Sequence, residues 1–303
     1  MRIQFCDKLL SFSDDPNFCF LTGDLGFNAL EKLSQNMKER FINAGISEQN
    51  MLSISAAFAQ QDLECWAYSI APFCYARAFE QIRNDISFHN LPVRIVGNGG
   101  GYGYGVMGPT HHSIEDYGIL STLPNLHTFI PVFNEDVSPI IDKLRKHQGP
   151  AYLRLGVDEK PNNWIAPKYQ KWRQIIDGYG PSIITTGPIA TTYLNKFNLL
   201  EDNLRPNMWV VTELPITTGL PKKLIAQIKK SNKLIIIEEH VANGGIGQQI
   251  CLLLMKKYNL SPKFIHSYAT SHVFNKYGSQ SYLRKLSKLD PESLIKIIEG
   301  LCK

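Results

Sequence analysis

Short apolar runs recur along this chain, and an amphipathic stretch follows most of them. Phe18–Thr22, Arg40–Asn43, Glu64–Ile70, Val93–Val96, His127–Pro131 and Ala151–Leu155 have the length and content of strands. Ser47–Gln60, Ala76–Asn90, Ile114–Leu120 and Asn134–Lys146 read as helices between them. Alternation of this kind predicts an α/β fold, with mostly parallel sheets flanked by helices. The rhythm fails over 157–180, where Pro161 and Pro167 stand in a segment without periodicity. It resumes with strands at Ser182–Thr186, Met208–Thr212, Lys233–Glu238 and Lys263–Ser267. Two consecutive domains are therefore expected: 1–160, then a linker 161–180, then 181–303.

The 303 residues suffice for about two domains, and 44% hydrophobic with 19% charged residues suits an ordinary globular core. The net charge of +5 is dispersed apart from pairs such as Lys222-Lys223 and Lys229-Lys230, which fit solvated helix faces rather than a nucleic-acid surface. The six cysteines show no Cys-x-x-Cys and no metal spacing, so reduced thiols and a cytoplasmic location are expected. No segment reaches the roughly 18 apolar residues of a membrane span.

Chemistry concentrates in two places. Phe41-Ile-Asn-Ala-Gly-Ile-Ser-Glu-Gln-Asn50 puts Glu48 at the start of a helix whose next charge is Asp62. Such a helix is apolar or small nearly all round and should be buried. A carboxylate at its mouth needs a partner. The second place is Gly97-Asn-Gly-Gly-Gly-Tyr-Gly-Tyr-Gly-Val-Met-Gly-Pro-Thr-His-His112, where a strand runs into glycines and then two histidines. Glycines let a backbone turn freely and approach a ligand, and histidines move protons near neutral pH. Gly103–Gly108 formally satisfies GxGxxG, but Pro109 interrupts before a helix can open, so a dinucleotide site is rejected. His111 with Glu115, and His112 with Asp116, stand four apart. First-turn charge on a helix dipole accounts for those acids better than a metal does.

Taken in order, these segments resemble the pyrimidine-binding and C-terminal domains of the transketolase family of thiamine-diphosphate enzymes. The carriers are Asn43–Asn50, Phe73 with Arg77-Ala-Phe-Glu-Gln-Ile-Arg83, Asn90–Val93, Gly108-Pro-Thr-His111, Pro124-Asn125, Gly149-Pro150, Glu238-Glu-His240 and Gly244-Gly-Ile-Gly247. The resemblance implies that Glu48 hydrogen-bonds N1′ of the cofactor's aminopyrimidine, so that the 4′ nitrogen can deprotonate thiazolium C2. It further implies that Phe73 stacks on the pyrimidine, with Ile46 and Arg77 on the cofactor side. His111 is implied to contact the substrate, with His112 and Met107 beside it. On this reading Glu48 finds its partner on the cofactor and on no residue of this chain.

The family's diphosphate-binding domain, with its GDG…Asn magnesium motif, has no counterpart here. Gly23-Asp24-Leu25 holds half of the motif, and no Asn-Asn follows about thirty residues on. The resemblance thus implies an N-terminal partner subunit that holds Mg²⁺ and the diphosphate, in a heterotetramer. Met107 replaces an acidic residue of typical transketolases, and basic residues expected near Gly99 and Val157 are missing. A substrate other than the usual pentose-phosphate pair is expected. The rival readings are a deoxyxylulose-phosphate synthase, a 2-oxo acid dehydrogenase β-subunit, and a degenerate binding subunit.

Overall fold

The computed structural model describes residues 1–26, 28–270 and 277–303. The first half runs α1 (Arg2–Leu10), β1 (Phe18–Thr22), α2 (Glu31–Met37), β2 (Phe41–Asn43), α3 (Glu48–Ala59), β3 (Glu64–Ile70), α4 (Ala71–Tyr75), α5 (Phe79–Gln81), β4 (Arg94–Asn98), α6 (Asp116–Leu120), β5 (His127–Phe129), α7 (Val137–Lys146) and β6 (Ala151–Leu155). The second half runs β7 (Trp172–Ile176), β8 (Ser182–Thr186), α8 (Leu194–Asn198), β9 (Asn207–Val211), β10 (Glu213–Leu214), α9 (Lys222–Ser231), β11 (Lys233–Glu238), α10 (Ile246–Leu253), β12 (Lys263–Tyr268), α11 (Gln280–Leu286) and α12 (Pro291–Cys302).

These elements form two α/β layers. A 7-stranded sheet has the order β10-β5-β6-β4-β3-β1-β2, and a 5-stranded sheet has the order β12-β11-β8-β9-β7. All neighbours are parallel except β10 on β5 and β7 on β9. In β1, Phe18 and Phe20 pack under α1, α2 and α7, with Phe5, Leu33 and Ile140. Leu21 points the other way, to Met51 and Leu52 of α3. This is the two-residue alternation of a strand covered on both faces. In the second half Glu238, fully buried, accepts the Ile246 and Gly247 amides at the mouth of α10, and the Tyr117 hydroxyl from the first half. The glycines of Gly244-Gly-Ile-Gly247 therefore serve close packing, because a Cβ at Gly245 would run into the Glu238 carboxylate.

Two expectations need correction. The helix expected over 76–90 is broken: Pro72 starts α4 early, and a π-helical turn, Ile82–Ser87, follows α5. The stretch 161–180 is not all linker, because β7 lies inside it and pairs with β9. Its Arg173 is buried on the Asp136 carboxylate, so a basic residue faces inward in a strand that lacks the usual apolar alternation. Helix α1 had no sequence signal. Among the described residues, no helix is long and apolar enough to cross a membrane.

Candidate active site at the ends of three parallel strands

The C-terminal ends of β1, β3 and β4 lie side by side and lead into Gly23, Ala71–Phe73 and Gly99. Ligands of parallel α/β sheets bind at such ends. Glu48 enters this rim from the first turn of α3 and is only 1% exposed. Its Oε1 accepts from Ser69 Oγ at 3.3 Å, and its Oε2 accepts from Arg77 Nη1 at 2.6 Å. The expectation that no residue of this chain pairs with Glu48 is therefore corrected: Arg77, four residues beyond Phe73, does so. Gly23 borders the same carboxylate, where a Cβ would sit 3.3 Å from Oε1.

The other residues form an unbroken series of contacts. The Arg77 guanidinium lies 4.7 Å from the Phe73 ring centroid, a cation–π distance. Phe73 meets His111 edge-on at 5.1 Å, and His111 faces Tyr104 at 6.4 Å. Tyr104 Oη accepts from Asn98 Nδ2 at 2.6 Å, tying the series to the end of β4. Thr110 Oγ1 lies 3.0 Å from His111 Nδ1 and fixes the ring further. Ile46 is 79% exposed on the turn before α3, and Met107 is 55% exposed on the glycine loop. Both present apolar surface at the rim. His112 turns the other way. It is 3% exposed and stands edge-on to Tyr102 at 5.2 Å, away from the Phe73–His111 pair.

Burial, and then the Glu48 charge, push the Cys74 thiol well above its ordinary range, so Cys74 stays protonated beneath the site. Gly99 and Val157, where basic residues were missing, line one cavity of about 430 Å³ together with Tyr104, Arg2 and Asp158. Sequence reasoning missed Arg2, Ser69 and Tyr104. Tyr104 had a signal, since it lies inside the glycine run; Arg2 and Ser69 are placed only by the fold.

The aminopyrimidine end of thiamine diphosphate fits these residues. A buried carboxylate suits a protonatable ring nitrogen, a half-buried aromatic ring offers a stacking face, and Gly23 keeps a side chain from crowding the carboxylate. Among the described residues, no three His, Cys, Asp or Glu side chains converge to hold a metal ion.

Residues 11–160 match the family model described as the transketolase pyrimidine-binding domain. A Methanocaldococcus jannaschii protein described as a transketolase C-terminal section is 27% identical over 306 residues, 98% of this chain and 95% of that protein. Residues 11–160 are thus a pyrimidine-binding domain of the transketolase type. Another transketolase-family relative is a Phocaeicola vulgatus protein named as one subunit of an apulose-4-phosphate transketolase. It is 26% identical over 254 residues, which is 81% of this chain and 80% of that protein. A Clostridium beijerinckii 1-deoxy-D-xylulose-5-phosphate synthase is 27% identical over 281 residues, 90% of this chain but 44% of that enzyme. A solved split-gene transketolase, described as an inactive β4 tetramer, has a TM-score of 0.83 at 22% identity, covering 99% of this chain and 97% of that one. That likeness shows the transketolase fold.

Proposed function

We propose that this chain is the C-terminal subunit of a split, thiamine-diphosphate-dependent enzyme that transfers a two-carbon ketol unit between sugars. The observation that carries the reading is the continuous contact series Glu48–Arg77–Phe73–His111 on one rim of the sheet. When bound, thiamine diphosphate supplies a nucleophilic carbon and an electron sink for cleaving the bond beside a ketose carbonyl.

This chain's residues do the rest. Glu48 holds a proton against the pyrimidine nitrogen from a site closed to water. Ser69 and Arg77 keep its two oxygens oriented. Phe73 gives the ring a face to lie on. His111, at the end of the series, donates to or accepts from the sugar's oxygens. Ile46 and Met107 shield the mouth. Arg2 is the cation placed to meet an anionic sugar group in the cavity that Tyr104 shares.

A separate partner chain supplies Mg²⁺ and the diphosphate contacts, and the assembly is a heterotetramer. Two comparisons support this. A Leishmania mexicana transketolase covers 99% of this chain while this chain covers 45% of it, and the split-gene neighbour is inactive as a β4 tetramer. The Phocaeicola vulgatus relative is named for apulose 4-phosphate, which agrees with a substrate outside the usual pentose-phosphate pair.

The test is coexpression with a chain bearing GDG and a downstream Asn, followed by ketol-transfer assays. Thiamine-diphosphate-dependent transfer that falls about 100-fold in Glu48→Gln is the expected result. Pyruvate decarboxylation without ketol transfer would replace this reading. Efficient turnover of xylulose 5-phosphate with ribose 5-phosphate would remove the substrate part of it.

A further inference from the structure

The glycine run is not a floppy turn. Gly101 and Ser113 exchange two backbone hydrogen bonds of 2.8 Å, closing residues 102–112 into a loop with a defined base. That loop carries Tyr104, Met107 and His111. Its base is gripped from the second half of the chain by Glu239, the residue after β11. Glu239 Oε1 accepts the Tyr102 amide at 2.9 Å. The same carboxylate accepts from Gln280 Nε2 at 3.0 and 3.2 Å, and from Arg284 Nε and Nη2 at 3.2 and 2.9 Å.

The side chains of Glu239 and Arg284 are each only 4% exposed. The approach is tight, since a Cβ at Gly101 would lie 2.6 Å from Glu239 Cδ. Tyr102 adds a second tie through its hydroxyl, which donates to Thr270 O at 2.9 Å. Helix α11 and the residues just before it then back the loop: a Cβ at Gly105 would meet Gly278 O and Leu283, and one at Gly108 would meet the Tyr277 ring.

We propose that Glu239 is a positioning residue, which sets the loop's base and so aims His111 at the sugar. Neither Glu48, Ser69 nor Phe73 lies on this loop. Loosening it should therefore harm sugar use while sparing the pyrimidine end. A residue needed only for folding would harm both. The kinetic part of this inference rests on the ketol-transfer reading; the loop-order part does not.

Glu239→Ala would strip the buried Arg284 of its buried carboxylate and leave it only the half-exposed Glu159, which is destabilising, so the tests are Glu239→Gln and Gln280→Ala. Both are measured in the two-chain complex. The expected result for Glu239→Gln is a fall in kcat/KM for the sugar of about ten- to a hundred-fold, with half-saturation by thiamine diphosphate within about twofold of wild type. Gln280→Ala should shift the same way by less. In the isolated chain, Glu239→Gln should speed amide hydrogen exchange over 101–113 by about tenfold while leaving β1 and α3 unchanged.

Wild-type sugar kinetics and exchange in both variants would overturn the proposal, as would equal losses in sugar use and cofactor half-saturation. A wild-type complex with no ketol transfer would remove the proposed function instead, and the exchange measurement would still decide the role of Glu239.

Discussion

Arg77 and Glu48 form an ion pair of unequal members: 2.6 Å joins a guanidinium that is 41% exposed to a carboxylate that is 1% exposed. The arginine can leave for water, and the glutamate cannot. Removing the arginine leaves Glu48 with Ser69 as its side-chain donor. Solvent screens the exposed member, so Arg77→Ala should lower the isolated chain's stability by only about 1 kcal/mol. A double-mutant cycle with Glu48→Gln in thermal or denaturant unfolding isolates the pair. If the single effects simply add, the pair contributes nothing.

Phe73 and His111 touch, yet they should separate kinetically. Phe73→Ala removes a stacking face, so it should raise the thiamine diphosphate concentration needed for half-activity. His111→Ala should leave that concentration near wild type and lower kcat/KM for the sugar by about 100-fold or more. Titrating cofactor and sugar separately in the two-chain complex distinguishes them. The reverse pattern would exchange the two assignments.

Arg154 pairs with fully buried Asp116 at 2.7 Å, and Asp116 also accepts from Ser113 Oγ, Tyr152 Oη and the Tyr117 amide. Arg154→Leu keeps those neutral donors but strands the charge. It should cost about 3–5 kcal/mol in denaturant unfolding. Adding Asp116→Asn should recover part of that loss, since the stranded charge is then gone. No recovery would mean that the arginine's packing, and not its charge, is what matters.

His147 sits beside His127 at 5.0 Å and behind Arg94. Burial, then the Arg94 charge, lower its pKa from 6.5 to about 4. The unfolded chain therefore binds the extra proton first. Stability should be fully present above about pH 6.5 and decline as pH falls from there towards about 4. His127 is shifted in the same direction, again mainly by burial. Thermal unfolding at pH 7.5 and pH 5 should show a smaller acid loss in His147→Asn than in wild type. Equal losses would place the proton elsewhere.

The sequence disclosed whatever was both local and apolar. Phe18–Thr22, Ala151–Leu155 and Ser182–Thr186 are buried along their whole lengths, and their ends are where the expected strands end. Trp172–Ile176 was hidden because Arg173 is accommodated by Asp136, a residue 37 positions away. Glu48, Phe73 and His111 were legible as motif members, and the fold brings them to one rim. What pairs with Glu48, and which way His112 faces, depend on side-chain geometry across elements. No local pattern records that. The grip of Glu239 on Tyr102 spans 137 positions and is likewise visible only once the chain is folded.

Strand β10 also bears on how the chain can be divided. Glu213 and Leu214 belong to the second half by sequence, yet they pair with Phe129 and Thr128 and close the border of the first half's sheet. A fragment ending near residue 160 would expose β5 as a raw edge, with its amides and carbonyls open to any other strand. Such a fragment should self-associate when expressed alone.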